Sequence, residues 1–149
     1  MGATITVKGV GFRDAAGRFS KVYVEKIWQA ELPKTADILN TYLMIEVPRG
    51  DTMRLAKSRR IKFTRSGFII TIGTRVPYFK YVIGGTGPHR ITAKHRKALN
   101  FGSDKPYAAV EHPGTEPNDF IERARNRARP EIRKLLKRIT RQIVEAIER

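Results

Sequence analysis

Over residues 24–47 the apolar side chains Ile27, Trp28, Leu32, Ala36, Leu39 and Leu43 recur mostly at intervals of three and four. That spacing lines them along one face of an α-helix, so the segment reads as an amphipathic helix with one side buried. Pro33 lacks the backbone N–H that a helix interior requires, so the helix is expected either to kink there or to restart with proline in its first turn. The stretch "VPRGDT" closes it, because Pro48 biases Val47 away from helical angles and Gly50 follows. A second helical pattern ends the chain: Ile132, Leu135, Leu136, Ile139, Ile143 and Ile147 form an apolar stripe flanked by arginines and lysines. Asn118 or Asp119 is positioned to cap this helix, and Pro130 is expected to bend or restart it.

Between the helices the period changes to two. "RRIKFT" and "GFIITIG", separated by "RSG", read as an antiparallel hairpin in which the second, almost continuously apolar strand is the better buried. "VPYFKYVI" and "YAAVEH" add two further strand-like runs, which gives a sheet of about four strands. Residues 4–8 and 18–24 also alternate, around a turn-rich "GFRDAAGR", and suggest an arm or hairpin over residues 1–23 ahead of a domain over 24–149. The fold class is therefore α+β: a small antiparallel sheet packed by a long N-terminal helix and a C-terminal helix. An extended basic loop, residues 84–106, is too long for a plain connection. Its Ile91, with Leu99 and Phe101, suits the arms of a small projecting hairpin.

Charge narrows the choice of partners. Thirty lysines and arginines face fourteen acidic residues in 149, a net charge of +16, and the excess is uneven. Residues 1–48 are nearly neutral, whereas residues 49–65 hold seven basic side chains against Asp51 alone. Such a balance points to an anionic partner, either nucleic acid or the acidic face of another protein. Arg54, Lys57, Arg59, Arg60, Lys62 and Arg65 form the leading cluster for DNA or an acidic partner, with Lys94, Arg96 and Lys97 second. No zinc-finger, helix-turn-helix or aromatic stacking motif accompanies them, and a solvated face or subunit contact fits equally well. Cysteine is absent, which removes disulfides, thiolate zinc sites and thiol nucleophiles. No apolar run is long enough to cross a bilayer, so the chain reads as soluble with no membrane partner.

The chemical constellations are thin. "IGGTGPHRI" is glycine-rich, yet it lacks the Gly-Lys-Ser/Thr ending of a phosphate cradle and does not open a helix. Its glycines read instead as the residues that let a strand turn sharply into a loop. His89, His95 and His112 lack further ligands at metal spacing and sit among cations that disfavour a dication. Glu111 is next to His112, but strand neighbours face opposite ways, and Ser58, Ser66 and Ser103 have no supporting base. Neither a catalytic centre nor a cofactor or metal site is expected.

Three ordered stretches carry a resemblance. "VPRGDTMRLAKS", "YFKYVIGGTGPHRITAKHRKALNF" and "VEHPGTEPNDFIERA" resemble, in sequence and spacing, the neck or tail-completion proteins of long-tailed phages, over roughly residues 24–149. The third stretch is the most specific, and Met53 stands where that family usually has glycine. The resemblance implies a structural virion protein at the head–tail interface, made in the host cytoplasm and assembled as a ring, six-fold by analogy, through which DNA passes. Its implied partners are its own copies, a head-side connector or head-completion protein, a tail terminator or tail tube protein, and genomic DNA in the lumen. The contacts would fall on His89, Arg90, Lys94, Arg96, Lys97, His112, Pro113, Gly114, Thr115 and Pro117. A stand-alone basic nucleic-acid-binding module is the alternative.

Overall fold

The computed structural model describes residues 2–8, 21–93 and 107–147. Its elements are β1 (Ala3–Lys8), α1 (Lys21–Glu46), α2 (Arg54–Lys57), β2 (Arg60–Thr64), β3 (Gly67–Ile72), α3 (Phe79–Gly84), β4 (His89–Thr92), β5 (Ala109–His112) and α4 (Phe120–Ile147). The fold is α+β, with the long helices α1 and α4 packed against a sheet. The strands form two antiparallel sheets, one in the order β1-β3-β2 and one of β4 with β5. Contacts divide the chain into two compact units, residues 1–79 with 119–149, and residues 80–118.

In the first unit α1 buries Trp28, Leu32, Ala36, Leu39 and Leu43, α4 buries Phe120, Ala124, Ala128, Leu135, Ile139 and Ile143, and β3 contributes Phe68, Ile70 and Ile72. Removing each larger apolar side chain from water is worth about 1.5–3 kcal/mol, so this seam dominates the unit's stability. The two helices run antiparallel, because Glu46 meets Arg123 and Arg127 while Glu31 meets Arg138. Ala36, Ala124 and Ala128 are fully buried, and their small side chains leave room for close packing. Pro33 and Pro130 lie inside single helices, so no new helix starts at either. Both are exposed, and the buried face beside each outweighs one missing backbone hydrogen bond.

The β2–β3 hairpin matches its sequence pattern: β3 is central and almost wholly buried, and β2 is an exposed edge. Two strand expectations fail. Residues 21–24 open α1, and β1 pairs instead with β3, from Ala3 opposite Ile72 to Lys8 opposite Gly67. Four alternating residues fit a helix as well as a strand, and nothing in "KVYVEK" breaks one. "VPYFKYVI" is not a strand either. Turn bonds from Val76 N to Gly73 O and from Phe79 N to Val76 O wind the chain directly into α3. Phe79 is buried while Tyr81 is half exposed, so burial of a single aromatic overrides the β propensity of its neighbours. The four-stranded sheet is consequently two smaller ones.

Glu46 links α4 to the end of α1. The hydrogen bond from Arg123, at 2.9 Å, and then that from Arg127 hold its carboxyl below the ordinary value of 4.5. Tyr42 donates to Glu131 at 2.5 Å, which raises its own pKa. A carboxyl depressed in the folded state stabilises fully above its unfolded value and loses that contribution as pH falls through the folded one. Glu46→Gln should therefore lower the denaturation midpoint at neutral pH, with the gap to the parent closing on acidification below about pH 4.5. Met53 gives a second expectation. Its φ of 48° lies in the left-handed region, which disfavours any residue with a Cβ by about 1–2 kcal/mol. Since glycine adds unfolded-state entropy, Met53→Gly should stabilise by at most about 1 kcal/mol in urea titration; a clear loss would place the residue's contribution in its side chain.

Candidate subunit-contact site

The second unit is built on β4 and β5, paired from His89 opposite His112 to Thr92 opposite Ala109. Antiparallel pairing at that register brings together the chain just before β4, "IGGTGP", and the chain just after β5, "PGTEP". They lock by two backbone hydrogen bonds, Thr86 N to Thr115 O at 2.8 Å and Thr115 N to Thr86 O at 3.0 Å. Asn118 N adds a bond to Val82 O at 3.0 Å. Two motifs far apart in sequence are one clamped structure.

Glycine is required at two positions of the clamp. Gly85 has φ 67° and Gly114 φ 96°; a Cβ at Gly114 would overlap the Thr86 carbonyl oxygen, and one at Gly85 the Thr115 carbonyl oxygen. Gly84 and Gly87 face open space, so the glycine richness of the loop overstates the need. The sequence reading had a strand turning into a loop here; instead a helix ends at Gly84, and Gly85 and Gly114 allow the two segments to meet at close range.

The two histidines are tied to the same turn. Gly114 N donates to His112 Nδ1 at 3.0 Å, so that nitrogen is unprotonated in this arrangement. His89 Nδ1 lies 2.9 Å from the Gly87 carbonyl, which only accepts, so that nitrogen carries its proton. The rings sit 5.0 Å apart at 32°. No group of three potential metal ligands occurs among the described residues. The arrangement orders a turn and presents an edge: Arg90, Pro113, Thr115 and Pro117 are exposed, and Arg90 reaches Glu111 at 3.6 Å in an exposed pair of little energetic weight.

The structure thus brings together His89, Arg90, His112, Pro113, Gly114, Thr115 and Pro117. Lys94, Arg96 and Lys97 lie outside the described residues, as do the expected arms at Leu99 and Phe101. Ile91, the other arm of that hairpin, pairs with Val110.

The proposed DNA-facing cluster runs over α2, β2 and the turn that follows. Arg54 and Lys57 are on α2, Arg60 and Lys62 alternate with the half-buried Ile61 and the exposed Phe63 on β2, and Arg65 occupies the hairpin turn. Arg59 is half-buried and turned onto Asn40 of α1 through one guanidinium nitrogen.

One cationic set escaped the sequence reading. In "RARNRARPEIRKLLKRITR" the residues Arg125, Arg129, Arg133, Lys137 and Arg141 recur every four positions, a signal masked by attention to the apolar stripe between them. No family model, curated protein or solved structure matches the chain.

The clamp makes a sharp contrast between neighbouring glycines. Gly114→Ala should open it, speeding hydrogen exchange at the Thr86 and Thr115 amides and destabilising by at least about 1–2 kcal/mol, whereas Gly84→Ala should leave exchange unchanged.

Proposed function

We propose that the protein is a structural component of the phage head–tail joint, assembled as a ring that links the head-side connector to the tail and lets DNA pass. The observation that carries this reading is the clamp. The second and third stretches of the phage neck pattern, which nothing in the sequence requires to touch, are bonded to each other through Thr86 and Thr115. Elements that recur together in order and also meet in space fit one shared task. The left-handed Met53, at a position where the resembling family has glycine, supports the same reading.

A closed ring needs two different surfaces per subunit, one complementary to the other. An edge already fixed by hydrogen bonds and proline loses little conformational freedom on docking, which favours affinity. The exposed Thr115, Pro113 and Pro117 supply that edge, and the reading asks no catalysis of it. The virion, the connector or head-completion protein, and the tail terminator or tail tube protein follow from the same proposal.

The alternative, a stand-alone nucleic-acid-binding module, is favoured by the +16 charge and by the outward Arg60 and Lys62 on β2. Mass photometry and negative-stain imaging of the purified protein separate the two. Ring-sized particles are expected for the parent, and Thr115→Arg should weaken self-association by at least about 10-fold with unchanged melting of the monomer. A monomer at all concentrations that binds duplex DNA tightly, with a steep salt dependence, would favour the module instead.

A further inference from the structure

Helix α4 carries two kinds of cation. On the flank toward α1, Arg123 and Arg127 bind Glu46, and Arg138 lies 3.4 Å from Glu31, so that side is neutralised within the fold. Elsewhere on the helix Arg125, Arg129, Arg133 and Lys137 follow one another every four residues, a row inclined across its surface. Arg125 is held by Glu122 at 2.6 Å. Arg129, Arg133 and Lys137 are exposed and form no ion pair with any described residue.

Beside this row runs a groove of about 720 Å³ between α4 and β1. Its floor includes Ile5, Val7, Ile132 and Leu136, all only half-buried, and Arg129 and Arg133 stand on its rim. β1 is an edge strand whose one partner among the described residues is β3. Partly exposed aliphatic side chains beside uncompensated guanidinium groups define what fits: an occupant with carboxylates for the rim and apolar side chains for the floor. A duplex offers phosphates but leaves the aliphatic floor in water. The chain itself offers no match. Residues 9–20 hold Arg13 and Arg18 against Asp14, residues 94–106 carry Lys94, Arg96, Lys97 and Lys105 against Asp104, and a second copy brings a further +16.

We infer that the groove between β1 and α4 docks an acidic, aliphatic-rich segment of a different protein, its carboxylates meeting Arg129 and Arg133. Arginine suits this role because its planar guanidinium takes a carboxylate in two parallel hydrogen bonds. Apolar contact with the floor fixes the segment's position, and the cationic row speeds and orients its approach. The inference stands on the groove and on the charge of the chain, whether or not the protein joins heads to tails.

The test uses the full chain and a fluorescein-labelled synthetic peptide alternating glutamate with leucine, followed by anisotropy, with backbone amide shifts to locate it. Saturable binding is expected, with shifts confined to β1 and α4 and affinity falling as salt is raised. The double variant Arg129→Glu/Arg133→Glu should weaken binding about 10-fold or more without changing the melting curve, since both side chains are exposed and neither is paired with a described residue. Arg60→Glu/Lys62→Glu, which alters the net charge equally on β2, should change it by less than about 3-fold. Four outcomes overturn the inference: no saturable binding; polyglutamate of the same length binding as tightly; both double variants weakening binding equally; or duplex DNA displacing the peptide and losing affinity with the same α4 variant, which would make the groove a nucleic-acid surface.

Discussion

The antiparallel seam between α1 and α4 is the constraint on which the first unit depends. Residues 120–147 return along residues 27–47 because each helix has one apolar face that no other described element covers as completely. Small residues set its packing where Ala36, Ala124 and Ala128 lie, and Leu135, Ile139 and Ile143 fill it further along, with Ile27 and Ile38 against them. The rest of the unit follows. With the helices fixed, β3 can bury Phe68, Ile70 and Ile72 beneath α1, and β1 can extend the sheet through residues distant in sequence.

The same seam sorts the charges. Two acidic residues of α1, Glu31 and Glu46, face α4 and draw Arg138, Arg123 and Arg127 onto themselves. Glu31 is itself buried and also holds Lys34 at 2.6 Å, so its charge is compensated from both helices. Because so few carboxylates exist, those used at the seam are not available elsewhere, and Arg129, Arg133 and Lys137 on α4 stay unpaired among the described residues. The distribution of unneutralised charge is thus a consequence of helix packing and could not be obtained from net charge alone.

What the sequence disclosed follows from the range of the interactions involved. Helical periods at Trp28, Leu32, Leu39 and Leu43, and the continuous apolar run of β3, are local signals with strong burial behind them, and both elements were legible. The class α+β and the β2–β3 hairpin came from the same source. Residues 21–24 and 76–83 misled because four to eight alternating or aromatic residues satisfy both periods, and the decision rests with turn bonds at Gly73 and Val76 that pattern alone does not carry. Half of the candidate site was also legible: the need for glycine at a sharp turn was anticipated, but the pairing of the two turns was not. The bond between Thr86 and Thr115 depends on the register of β4 against β5, a long-range property with no local mark. In the basic cluster at residues 54–65, closeness in sequence does not set the direction of each side chain, and Arg59 turns inward to Asn40.

Ring formation, as proposed, meets an electrostatic obstacle that the described surfaces themselves define. Copies carrying +16 each repel at close approach, and screening over about 8 Å at physiological salt reduces this without removing it. A rigid edge such as the Thr115 turn lowers the entropic penalty of association but supplies no opposite charge. An acidic segment in the α4 groove, or DNA in the lumen, would lower the charge of each subunit as the ring closes. Binding an anion and closing the ring would then favour one another, because by linkage whatever binds the assembled form more tightly also stabilises it. A scaffold of this charge would therefore assemble more tightly once its acidic neighbour is in place, which favours an order of assembly without requiring a conformational switch.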